Sequence, residues 1–145
     1  MSLTAKGQVD YWLKLSKESL LDMRSAQRNR RRINAMFCGH LAVEKMFKAL
    51  CAVRLVPANQ IWGHSLVALA QKANFPLTTQ QVLELGTITS FNLMARYDDH
   101  KRQFAKICTP VYAKTWSIII ETWYIELKQL VTHERESLPN RTPAL

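Results

Sequence analysis

Apolar residues return at helical intervals along almost the whole chain, and no stretch alternates with the two-residue period of a strand. Val9, Trp12, Leu13, Leu20 and Met23 mark one face of a first helix over about Gln8–Gln27, with Lys14, Lys17, Glu18 and Arg24 on the other side. Arg28, Asn29, Arg30, Arg31 and Arg32 follow without an apolar residue and place a turn. A second helix is predicted over about Arg31–Leu55. Met36, His40, Val43, Phe47 and Leu50 form its stripe, widened by Ile33, Phe37, Leu41 and Cys51. A helix apolar over so much of its circumference lies at the centre of the domain or is shared with a second subunit. Gly39 lowers its helix propensity, which a close helix–helix approach would explain. Glu44 and Lys48, four apart, are expected to pair on a side that sees water.

Val56, Pro57, Ala58 and Asn59 break the pattern, and a short third helix is expected from about His64 to Ala73, with His64 near its cap. Thr78 and Gln81 have the spacing of a capping box and open a fourth helix, with Leu85, Ile88, Phe91, Asn92 and Ala95 inward. Phe104 and Ile107 suggest a turn or short helix before Thr109-Pro110, a strong helix start. The last helix carries Trp116, Ile119, Ile120, Trp123, Leu127, Leu130 and Val131 as one stripe to about His133, with Lys114 and Lys128 off it. The expected fold is all-α: an up-and-down four-helix bundle with one additional short helix. It forms a single domain over residues 1–137, followed by a disordered tail over 138–145 that holds two prolines.

A length of 145 residues with 48% hydrophobic positions suffices for a core without disulfides or metal. Cys38, Cys51 and Cys108 are odd in number, at unrelated spacings and in apolar helical contexts, so free thiols are expected, and no metal or cofactor is called for. The N-terminal segment lacks the apolar stretch of a signal peptide, and the run Thr115–Leu127 is too short and too interrupted by Glu121 and Glu126 to span a bilayer. A cytoplasmic protein is the expectation. Twenty Lys and Arg against eleven Asp and Glu give a formal charge of +9, which attracts polyanions such as RNA and equally serves solubility.

Three segments carry a family resemblance: Ala42-Val43-Glu44-Lys45 with Lys48-Ala49, then His64-Ser65-Leu66, then Phe91–Asp99, which reads FN-x-x-ARYDD where relatives often show R-Y-P-D. In this order and on these helices they resemble the HEPN family, small all-helical domains that bind nucleotides or RNA. The resemblance implies a homodimer and a minimal nucleotidyltransferase as a protein partner of toxin–antitoxin type. In the family's nucleases an arginine and a histidine separated by about four to six intervening residues face a dimer cleft and cut RNA without metal. The histidine takes the 2′-hydroxyl proton and the arginine holds the pentacoordinate phosphate. Arg96 matches that arginine, but His100 follows after only three residues, and Lys101, Arg102 and Gln103 occupy the places where the base would stand.

Two accounts of this segment stay open. Arg96 and His100 on one helical turn could converge on a phosphate as a shortened catalytic motif. Alternatively Arg96 pairs with Asp98, Asp99 or Glu44, and His100 is a surface residue. Arg96, Tyr97, Asp98, Asp99, Lys101 and Arg102, with Arg30 and Arg31 of the basic turn, are the candidate nucleotide- or RNA-binding residues. Tyr97 precedes the histidine, whereas the family tyrosine that receives transferred nucleotide follows it, so that role is not carried over. His40 is read as a hydrogen-bonded core residue and Trp62, in a loop, as the tryptophan able to stack a base. The functional expectation is a nucleotide- or RNA-binding homodimer without robust catalysis. A metal-independent endoribonuclease and a non-catalytic protein-interaction module are the alternatives.

Overall fold

The computed structural model describes residues 4–139. They form six α-helices: α1 (Ala5–Arg28), α2 (Arg32–Val53), α3 (Leu66–Lys72), α4 (Thr79–Met94), α5 (Asp98–Ile107) and α6 (Pro110–Arg135), with a single 3-10 turn at Ala58–Gln60. No strand occurs among the described residues. The segment expected to be a turn or short helix near Phe104 is a helix in its own right, so two short helices accompany four long ones.

Local chemistry sets most of the boundaries. Thr4, Ser65, Thr78 and Thr109 each accept a hydrogen bond from a backbone N–H in the first turn of the following helix, satisfying a donor that the helix leaves orphaned. At α4 the box is complete, because the Gln81 side chain reaches back to the Thr78 N–H. Pro110 stands in the first turn of α6, where its missing N–H costs nothing. Ser65, not His64, caps α3.

Contacts between helices fix their directions. As positions rise along α1, their partners on α2 fall: Trp12 meets Lys48, Ser16 donates to the Ala42 carbonyl, and Met23 lies beside Gly39. The two helices are antiparallel. Asp10–Arg135 and Arg24–Glu121 set α1 antiparallel to α6 in the same way. Gly39 with Ile120, then Arg54 with Glu134, rise together, so α2 and α6 run parallel. Glu84 with Trp123 and Phe91 with Trp116 turn α4 against α6.

Helix α2 lies at the centre of the core and packs against α1, α3, α4 and α6. Met36, Val43, Phe47 and Leu50 have no exposed surface, and neither have Ala35, Ala42 and Ala49 on other faces. The broad apolar surface read from the sequence is therefore covered within one chain and does not by itself require a second subunit. Leu138, expected in a disordered tail, packs partly buried against the core, while residues 140–145 lie outside the described ones. No helix among the described residues is long and apolar enough to cross a membrane.

At Gly39, side chains of α1 and α6 press directly against the α2 backbone. A methyl group there would lie 2.5 Å from Ile120 Cδ1 and 2.9 Å from Met23 Sδ. Absence of a side chain at this position holds the three helices together, which outweighs the lost helix propensity of about 1 kcal/mol. Gly39→Val adds two further carbons at the crossing and is expected to cost about 2 kcal/mol or more. Urea denaturation checks this, and a midpoint equal to wild type would show that the crossing yields freely.

Candidate functional site: a basic cleft and a buried glutamate

The turn between α1 and α2 closes with paired bonds at the end of α1. The Arg30 N–H donates to the Gln27 carbonyl at 3.1 Å and the Arg31 N–H to the Ala26 carbonyl at 2.8 Å, with Arg30 at φ 59°. Glycine is the usual residue in that left-handed position, because a Cβ costs about 1–2 kcal/mol there. The turn here carries an arginine instead, so a cation is kept at the cost of local strain.

That arginine rims a cleft of about 720 Å³. Its walls are the turn and first residues of α2, the end of α4 with Arg96, and one face of α5. Arg30, Arg31, Arg32, Arg96 and Lys101 supply its charge; Ile33 and Phe37 of α2, with Ala105 and Cys108, supply its apolar surface. Its lining holds no carboxylate. Arg32 is held by a hydrogen bond from Nε to the Cys108 carbonyl at 2.9 Å, which ties the start of α2 to the end of α5. Among the described residues, Arg30, Arg31, Arg96 and Lys101 are in no ion pair. Five cations around one hollow, none of them in an ion pair among the described residues, make a strong anion-attracting field.

Of the two accounts of Arg96, the pairing with a neighbouring carboxylate is not found among the described residues. Asp99 bonds Arg102 instead, at 2.7 Å on an exposed surface, and Glu44 is engaged elsewhere. Asp98 and Asp99 sit in the first turn of α5, where they complement its dipole, and they do not line the cleft. Tyr97, His100 and Arg102 also lie outside the lining; the Tyr97 and His100 rings meet edge-on with centroids 6.1 Å apart. The helix is interrupted between Met94 and Asp98, so Arg96 precedes the helix that bears His100 and the two do not share a helical turn. The candidate list thus divides: Arg30, Arg31, Arg96 and Lys101 converge, and Tyr97, Asp98, Asp99, His100 and Arg102 face other surroundings. Phe37 and Cys108 join the cleft through tertiary contact alone, whereas Arg32 belongs to the arginine run visible in the sequence.

A second cluster lies under the loop before α3. Glu44 is only 3% exposed and accepts from Lys48 Nζ at 3.1 Å and from His64 Nδ1 at 2.7 Å. The Glu44–Lys48 pair expected on a wet face is buried, with the Lys48 ammonium also 5.2 Å from the Trp12 ring centroid. His40 is wholly buried; its Nε2 donates to the His64 carbonyl at 3.1 Å, and Nδ1 has no partner among the described residues. His64 therefore fastens the loop to α2 by its ring and its carbonyl together. A carboxylate buried with two cationic or hydrogen-bonding partners is costly to break, because removing either leaves a charge uncompensated. No group of three or more His, Cys, Asp or Glu among the described residues is placed to hold a metal ion.

All three cysteines are free. Burial pushes the Cys51 thiol up to about 11, so it is a poor nucleophile.

No family model matches the chain, and no curated protein or solved structure matches it. The site must be read from its own geometry.

Burial holds the His40 imidazole below its ordinary range, against the opposing pull of the His64 carbonyl and the Glu44 carboxylate. In the unfolded chain the ring protonates near its ordinary pKa of about 6.5; in the folded chain it stays neutral to lower pH. Stability is therefore full above about pH 6.5 and falls below it, by at most about 1.4 kcal/mol per pH unit from this group. His40→Gln keeps a donor for the His64 carbonyl and removes the titration. Urea midpoints at about pH 7 and about pH 5.5 should converge in this variant relative to wild type. An unchanged gap between the two midpoints would rule out His40 as the source.

Proposed function

We propose that this protein is a HEPN-type domain whose basic cleft binds nucleotide or RNA without cleaving it. In this reading α1, α2, α4 and α6 form an up-and-down four-helix bundle, with α3 and α5 as short additions. The observation that carries the function is the convergence of Arg30, Arg31, Arg32, Arg96 and Lys101 on one hollow. Residues more than sixty positions apart supply guanidinium groups to the same space, and guanidinium binds phosphate oxygens in pairs. Ile33 and Phe37 offer the apolar wall that a base requires. A volume of about 720 Å³ lies within the range of small-molecule sites.

The placement of His100 outside the cleft lining favours binding over cleavage, since a general base must come within hydrogen-bond reach of the 2′-hydroxyl. The homodimer belongs to this proposal too, on the family resemblance. The nucleotidyltransferase partner rests on the family resemblance alone.

Arg30→Gly separates binding from folding. It relieves the left-handed strain, so thermal stability should hold or rise, while loss of one charged phosphate contact should weaken a labelled oligouridylate about tenfold. Arg96→Glu should weaken it further, and wild-type affinity should fall steeply with salt. Fluorescence polarisation reads the affinities, and gel analysis in chelator should find the RNA intact with wild type and with His100→Ala. Wild-type affinity in both cleft variants would refute the reading, as would His100-dependent cleavage.

A further inference from the structure

Resting on that reading of the cleft, we infer that the site continues into a second phosphate subsite between α1 and α6, which fits it for a single strand of nucleic acid longer than a nucleotide. Arg30 and Arg32, which line the cleft, also line an adjoining hollow of about 180 Å³ with Gln27 and Pro110. Gln27 in turn lines a groove of about 340 Å³ between α1 and α6, with Arg24, Arg28, Lys114, Ser117 and Glu121. Each hollow shares a residue with the next. The path runs from α5, around the end of α1, to the middle of α6.

Charge follows the path throughout. Lys101, Arg96 and Arg31 stand in the cleft, Arg30 and Arg32 at the junction, and Arg28 and Lys114 in the groove. Glu121 is the one carboxylate along it, and it is already bonded by Arg24 at 2.5 Å, a pair that carries no net charge. Arg28 and Lys114 are in no ion pair among the described residues.

Ser117 gives an independent sign. It is 8% exposed, lines the groove, and its hydroxyl has no hydrogen-bond partner among the described residues. A helical serine commonly bonds the carbonyl one turn earlier, which would satisfy it locally. Here the buried hydroxyl is left over on a residue that lines the same groove as Arg28 and Lys114. A mononucleotide would occupy the cleft alone and leave the groove without purpose. A strand places successive phosphates on successive cations, with Ile33, Phe37 and Pro110 between them as apolar surface for bases.

The test compares a uridine dinucleotide with a twelve-nucleotide oligouridylate on wild type and on the double variant Arg28→Gln, Lys114→Gln. Both side chains are on the surface, so the fold should be kept, and circular dichroism confirms it. The longer probe should bind wild type more tightly than the dinucleotide. The double variant should lose about tenfold on the longer probe, with its salt slope shallower by about 1.4, two phosphates at about 0.7 each. Its affinity for the dinucleotide should not change. Equal affinity of wild type and variant for the longer probe would overturn the subsite and leave the cleft standing. Failure of wild type to bind either probe would overturn the cleft reading and the subsite with it. Displacement of the strand by inorganic polyphosphate as readily as by unlabelled oligouridylate would overturn the assignment to nucleic acid.

Discussion

Everything in this molecule is arranged around the burial of α2. A helix with Ala, Val, Met and Phe on most of its faces has no side to give to water, so the chain must surround it. Gly39 lets side chains of α1 and α6 press against its backbone, and the remaining core grows outward along Phe47, Phe75 and Trp123 on one side and along Phe91, Phe104 and Tyr112 on another. Burial on this scale also encloses Glu44, Lys48 and His40, which then have to satisfy one another. The polar cluster that ties the α3 loop down follows from the centrality of the helix that bears it.

The same centrality fixes where the arginines go. Helix α2 begins as soon as the chain has turned back from α1, and its first turn must emerge from the core at the level where α4 ends and α5 starts. The cations of the turn are delivered to Arg96 and Lys101 by that geometry. Keeping five of them around one hollow raises their mutual repulsion, which costs stability and is relieved by a bound polyanion. That repulsion at one corner favours a ligand there over a corner shaped for solubility.

Much of the fold was legible in the chain because it is written locally. Thr78 with Gln81, Thr109 with Pro110, and the α6 stripe through Ile120, Trp123, Leu127 and Val131 each specify structure within a few residues, and each is found as expected. The start of α5 was not legible, since Tyr97 makes no side-chain cap and Asp98-Asp99 reads as loop as readily as a first turn. Glu44 with Lys48 looked like an ordinary exposed pair, because spacing alone cannot say that the face is covered. His64 gave no hint of its bond to Glu44, and its place beside a helix start suggested capping, which Ser65 performs. The site was legible only as ingredients. The arginine run and Arg96 were each visible, but their meeting depends on how α2, α4 and α5 pack.

The most direct test of the central claim is a map of where a nucleotide touches the protein. Backbone amide shifts from a nitrogen-15 spectrum, recorded while uridine dinucleotide is titrated in, report this without altering any residue. Binding in the cleft requires the largest changes at Arg30–Phe37, at Ala95 and Arg96, and from Lys101 to Cys108. Changes centred on Trp62 and His64, or scattered evenly over the surface, would contradict it.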